Sequence, residues 1–239
     1  MSRARRVASG LTAGVALAGL SYLAYAAITY GRYGRGARPT GGVRALRLGT
    51  FIPAPEVVER HEIRVAAPAE ITLTAAREID LYRSPVIRAI FRARELVMRA
   101  HDEGSRRPRA FVDEVLALGW GILADVLGRE MIFGAVTQPW EGDVEFRPIP
   151  PDQFADFAEP GYAKIVWTLA ADPLGPHASM FRTETRVATT DPVSRERFRR
   201  YWALTSPGIV LIRRATLPLV KADAERRARG DRSARPAIH

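Results

Sequence analysis

Between residues 57 and 65 apolar and polar positions alternate. Val57, His61, Ile63 and Val65 share one face while Glu62 and Arg64 point the other way, which predicts a half-buried strand. Ala67-Pro68-Ala69-Glu70 ends it, and Pro68 suits the first turn of a helix. From Ala69 to Arg77 the spacing of Ile71, Leu73 and Ala75 fits a strand or a helix. Residues 84–100, opened by Ser84-Pro85 and carrying Val86, Ile87, Ile90, Phe91, Leu96 and Val97, read as helix, followed by a polar loop from His101 to Arg109. Trp120–Leu127 and Glu130–Val136, joined by Gly128-Arg129, predict a hairpin. Asp143–Arg147 makes a short strand, and Tyr162–Ala170 and Ser179–Thr189 alternate as antiparallel strands with one wet face. Asp191 is placed to cap a last helix with Pro192 at its first position. Phe198, Tyr201, Trp202, Thr205, Ile209, Ile212, Thr216 and Leu219 then form one apolar stripe. Pro207-Gly208 is expected to kink or split that helix, and Pro218 to do so again.

The N-terminus has a different pattern. Arg3, Arg5 and Arg6 precede Val7–Gly31, which holds no ionisable side chain except Tyr22, Tyr25 and Tyr30. As a helix that run would be about 37 Å long, enough to cross a hydrocarbon core of about 30 Å. A retained single-pass anchor is expected, with the tyrosines as an aromatic belt. A cleaved signal peptide ending near Ala24-Tyr25-Ala26 is the alternative. Gly10, Gly14 and Ala18 make a small-residue face suited to weak homodimerisation. Residues 32–54, rich in Arg, Gly and Pro, read as a basic linker near lipid headgroups, and residues 229–239 as a disordered tail.

Charge sharpens this division. The formal net charge is +10, and 34 of the 36 basic residues are Arg. Residues 1–50 hold eight Arg and no acid, whereas residues 51–220 are nearly balanced, with 22 basic and 23 acidic side chains. Basic ends around a neutral body point to a membrane surface, not to nucleic acid, and the positive-inside rule leans toward a cytoplasmic domain. The absence of cysteine excludes disulfides, thiolate metal sites and a cysteine nucleophile.

Strand, short helices, hairpins and a long final helix describe an α+β sheet wrapped round its C-terminal helix. The chain over about residues 56–225 resembles the helix-grip superfamily, the START-like or SRPBCC group of lipid-transfer domains and polyketide cyclases. The resemblance rests on the strand ending Val65-Ala66-Ala67-Pro68-Ala69-Glu70, and on Phe181-Arg182-Thr183-Glu184-Thr185-Arg186-Val187 running into Arg197-Phe198-Arg199-Arg200-Tyr201-Trp202. It implies one domain over residues 55–228 with an apolar cavity between sheet and helix. Trp120, Phe133, Trp140, Phe146, Trp167, Phe181, Tyr201 and Trp202 are the candidate lining, or a packed core. Phe154 and Phe157, on one helical turn after Pro150-Pro151-Asp152, read as a lid over that cavity or a plug on the core.

Catalytic machinery is thin. Asp125 and Glu184 are possible general bases without a paired nucleophile, and His61 reads as a buried, hydrogen-bonded histidine. Glu130 beside Arg129, and Glu184 between Arg182 and Arg186, look like exposed sheet-face ion pairs, and Arg197–Arg200 like a solvated helix face. No phosphate loop, nucleophile elbow or two-histidine motif occurs, so no cofactor or metal is expected. Three functions remain open: a membrane-tethered carrier of a lipid or isoprenoid-like ligand, a cyclase- or hydrolase-like enzyme, and an interaction module with a filled core.

Overall fold

The computed structural model describes residues 3–34, 43–81, 84, 88 and 110–234; side chains are described for residue 17 and, within these segments, for 19–34, 47–81, 84, 88 and 110–231. The expected helix over 84–100 and the loop over 101–109 lie outside the described residues, except for Ser84 and Arg88. The elements are α1 (Arg3–Arg32), α2 (Val43–Phe51), β1 (Val57–Val65), α3 (Ala69–Glu78), α4 (Phe111–Ala117), β2 (Gly121–Val126), β3 (Glu130–Thr137), β4 (Phe146–Arg147), α5 (Pro151–Phe154), β5 (Ala163–Gly175), β6 (Ala178–Thr189) and α6 (Pro192–Ala234). The strands form one antiparallel sheet in the order β1-β6-β5-β3-β2, with β4 added to β3 beyond the end of β2. The first strand pairs with the last, and α6 then crosses one face of the sheet. This fits the helix-grip α+β arrangement.

The ambiguous stretch after Pro68 is helical because Ala69, Thr72, Leu73 and Ala76 all bury at three- and four-residue steps. The Thr72 and Ser179 hydroxyls, 2.8 Å apart, satisfy each other where α3 meets β6. The start of α6 is capped by Asp191, whose Oδ1 accepts the N–H groups of Val193 and Ser194 at 2.8 and 2.9 Å. Its Oδ2 accepts the Gly161 N–H at 2.7 Å, which ties the cap to the loop before β5. The Ser194 hydroxyl and N–H, with the Gly161 N–H, hold the Asp191 carboxyl well below the usual carboxylate range. Neither Pro207 nor Pro218 splits α6, and the helix continues past Arg229 into the stretch read as tail.

The inner face, toward α3 and α6, carries Met131, Phe133, Trp167, Leu169, Ala171 and Phe181, packed against Leu217, Val220, Ala224 and Ala228 of α6. At the other end of α6, Phe198 and Trp202 pack on Val57, Ala163 and Val187. The outer face is not the wet face that alternation predicts. Leu48 and Ile52 of the supposed linker, 2% and 1% exposed, lie on Leu123, Ile132 and Val166 together with Phe154 of α5. Phe154 is therefore a plug, on the face opposite α6. Every residue of β3 is buried as a result, which accounts for its unbroken apolar run.

Gly134 makes this second layer possible. A Cβ there would lie 2.4 Å from Leu123 Cδ1 and 2.9 Å from Phe154 Cε2. The two acids expected in exposed sheet-face ion pairs, Glu130 and Glu184, are buried, while Arg182 pairs instead with Glu62 and Asp172. Arg186, 1% exposed, donates from Nε to Glu184 Oε1 at 2.8 Å, and Arg47 of α2 reaches the buried Glu130 at 3.2 Å.

The anchor stands differently. α1 is one helix, and its C-terminal half docks on the start of α6. Tyr30 donates from its hydroxyl to Glu196 at 2.8 Å, the Arg199 guanidinium lies 3.6 Å over the Tyr30 ring, and the Tyr22 hydroxyl donates to the Leu204 carbonyl. Tyr22 and Tyr30 thus make contacts within the protein. Arg199 is drawn into this contact, while Arg197 and Arg200 stay largely exposed. Among the described residues no helix is long and apolar enough to cross a membrane; part of Val7–Gly31 lies where side chains are not described.

If residues 43–52 belong to the fold, Ile52→Ala should lower the unfolding free energy by about 2–5 kcal/mol in urea titration. A linker residue would change it by no more than about 0.5 kcal/mol.

Candidate functional site

The eight aromatic residues expected to line a cavity fall into two groups. Phe133 stacks on Trp167 with centroids 4.3 Å apart, and Trp120 meets Trp167 edge-on at 5.8 Å and Phe146 in a stack at 4.8 Å. Phe111 of α4 closes on Trp167 at 5.7 Å, and Phe181 is buried in the same cluster. Here ring meets ring, with the geometry of a packed core. Trp140, Tyr201 and Trp202 sit apart, around Phe198 near the start of α6. Trp202 also borders a cavity of about 370 Å³, whose walls include Tyr25, Ile28, Arg32 and Tyr33 from α1 and its end, Glu56, and Val57 and Glu59 from β1.

Glu59 leads from that cavity to a polar cluster beneath α6. Residues of one parity on β1 face the helix, so Glu59 and His61 point inward with Val57, Ile63 and Val65. They pair across the ladder with Thr185 and Thr183, which therefore face inward as well. From α6, Arg213 Nη1 donates to Thr183 Oγ1 at 3.1 Å. The His61 side chain is 11% exposed, and its Nε2 lies 3.7 Å from Glu59 Oε2, too far for a hydrogen bond. Among the described residues six buried side-chain polar atoms lack a hydrogen-bond partner, and two of them, His61 Nε2 and Thr185 Oγ1, lie in this cluster. The buried, hydrogen-bonded histidine expected from sequence is thus buried, but unsatisfied at Nε2.

The electrostatics follow from this placement. Burial holds His61 below its ordinary pKa, and the charges of Arg213 and Arg214 push the same way. Burial raises the Glu59 carboxyl against the pull of the same two arginines. Burial also brings the Arg213 guanidinium down to about 10, with Glu59 opposing. The site therefore presents a neutral imidazole, a carboxyl group, two hydroxyls and a guanidinium within an apolar frame. Such a set can bind the polar end of an apolar molecule or accept a proton from it.

The acids singled out from sequence do not belong here. Asp125 pairs with Arg77 of α3 at 3.4 Å, and Glu184 with Arg186 on the outer face. Among the described residues no three His, Asp or Glu side chains converge as metal ligands.

No protein-family model matches the chain, and no curated protein does. Among solved structures it is similar to the Zhui aromatase/cyclase from Streptomyces sp. R1128, at 15% identity over 71% of this chain and 94% of that one, with a TM-score of 0.25. A START superfamily protein from Mycobacterium smegmatis matches at 13% identity, 72% and 97% coverage and a TM-score of 0.25. Norcoclaurine synthase from Thalictrum flavum, a point mutant with a transition-state analogue, matches at 13% identity, 70% and 92% coverage and a TM-score of 0.26. At these values the likeness decides nothing about ligand or activity. The helix-grip assignment stands on the strand order and the packing of α6.

The depressed His61 pKa has a consequence for stability. The unfolded chain takes up this proton near pH 6.5 and the folded one only at lower pH, so the stabilisation is complete above pH 6.5 and is lost as pH falls below it. Urea unfolding from pH 7.5 to 5.5 should show wild type losing stability relative to His61→Gln. Parallel curves would show that His61 is not held neutral by the fold.

Proposed function

We propose that the domain binds an apolar ligand with a polar end, of lipid or isoprenoid type, and does so at a membrane to which α1 holds it. The observation that carries the reading is the pair of unsatisfied buried polar atoms, His61 Nε2 and Thr185 Oγ1, in a cluster that reaches the Trp202 cavity through Glu59. Unsatisfied polar groups in a dry site cost about 1–3 kcal/mol each, a cost that a ligand oxygen or hydroxyl would relieve. Trp202, Ile28 and Val57 offer the hydrocarbon part its wall. The protein then acts as a carrier. A neutral histidine beside a carboxyl group also favours a second reading, a cyclase- or hydrolase-like enzyme that moves a proton at the ligand's polar end.

Tethering is supported by α1 itself. Leu17, Leu20 and Leu23 are 62–68% exposed along it, an apolar side that α6 leaves uncovered. Self-association through Gly10, Gly14 and Ala18, and a cytoplasmic domain, belong to the same proposal.

Two experiments test it. A thermal-shift screen of fatty acids, isoprenols and sterols on the detergent-solubilised full chain should find one class that stabilises it. The gain should approach about 2.7 kcal/mol at a hundredfold excess over Kd, and should vanish in Trp202→Ala and shrink in His61→Ala. No shift with any class would favour the interaction module. Separately, the full chain should stay in the membrane pellet after a carbonate wash, and release into the supernatant would refute tethering.

A further inference from the structure

The outer face holds a charged side chain for which the inner site has no use. Lys164 of β5 is 8% exposed beneath α5. Its Nζ donates to the Ala155 carbonyl oxygen at 2.6 Å and lies 5.5 Å from the Phe154 ring centroid. Both contacts favour a cation, but neither supplies a countercharge. Among the described residues no carboxylate forms an ion pair with it; Asp156 acts on it only at longer range, and burial lowers its pKa. Buried cations are rare unless paired, because desolvation costs several kcal/mol per ion.

The surroundings make the absence informative. The chain meets nearly every need for positive charge with Arg and has two lysines. The other, Lys221, is the ordinary kind, paired with Glu225 at 2.9 Å and 39% exposed. Lys164 instead borders a cavity of about 280 Å³, walled by Phe51 and Ile52 at the end of α2 and by Phe157 and Ala158 after α5. An ammonium has three N–H donors, so with one on Ala155 two remain for a group in this cavity. The hydroxyls of Thr189 and Thr190 on its far wall are already donated, to Glu56 and to the Tyr162 carbonyl. The cavity thus combines hydrocarbon walls with one available cation.

We propose that this outer-face cavity binds a small apolar monocarboxylate, its carboxylate paired with Lys164 Nζ and its hydrocarbon part against Phe51, Ile52 and Phe157. This completes the ion pair that Lys164 lacks while its bond to Ala155 is kept. The site lies on the opposite face of the sheet from the Glu59–His61 cluster and does not depend on the reading of that cluster.

Calorimetric titration of the full chain with sodium hexanoate and with 1-hexanol tests it. Hexanoate should bind at least tenfold more tightly than hexanol, since the two differ in the charged end. Lys164→Met should weaken hexanoate at least tenfold. So should Ala158→Glu, an exposed rim position where a fixed carboxylate would compete for the amine; this variant decides the matter if Lys164→Met does not fold. His61→Ala should leave hexanoate affinity unchanged. No hexanoate binding, equal affinity for the two probes, or variants that bind like wild type would overturn the proposal. Loss of hexanoate binding in His61→Ala would assign the acid to the inner site and overturn it equally.

Discussion

The burial of one side of α6 against the inner face of the sheet is the contact on which the other positions depend. Phe198 and Trp202 at one end pack on β1, β5 and β6, and Leu217, Val220, Ala224 and Ala228 at the other share a core with α3 and the inner face. A proline inside a helix costs about 3 kcal/mol, and α6 contains two. Each large apolar side chain buried in the stripe contributes about 1.5–3 kcal/mol, enough to keep the helix continuous past both prolines. The Asp191 cap fixes where the helix starts, and its bond to Gly161 ties that start to the loop leading into β5.

The same contact creates the polar cluster. Once α6 covers β1 and β6, the inward parity of β1 places Glu59 and His61 under it whether or not they have partners there. Arg213, next to Ile212 on the helix, reaches Thr183 from above. The cluster is a compromise: burial lowers the His61 pKa, helped by Arg213 and Arg214, and raises that of Glu59, and two polar atoms are left unsatisfied. Through Glu59 the cluster adjoins the cavity bordered by Trp202.

A second layer on the other face changes the character of the sheet. α2 and α5 cover β3 and β5, so charges that would have been solvated become internal. Arg186 and Glu130 have acidic or basic partners within the protein, and Lys164 has a carbonyl and a ring. The enclosed Arg186–Glu184 pair adds little net stability but is costly to break, whereas Arg47 of α2 is 39% exposed and its pair with Glu130 is only half enclosed.

Local pattern carried much of the architecture. Period-two alternation located β1, β5 and β6, the Gly128 turn joined β2 to β3, and the Asp191-Pro192 pair with the stripe after it announced α6. Even the unsatisfied cluster is partly legible, since Glu59 shares the parity of His61, and Thr183 and Thr185 that of Phe181; the acid does not stand out because a charged residue on a strand normally faces water. What the chain could not show locally is which second surface a face would meet. Nothing around Leu48 and Ile52 distinguishes a basic linker from a helix docked on Ile132 and Val166. Nothing near Lys164 says that it is enclosed, nor near Phe154 that it plugs the face away from α6. Strand periodicity is a property of neighbouring residues and was therefore legible in the sequence. The covering of the outer face by α2 joins segments far apart in the chain, so only the tertiary structure decided it.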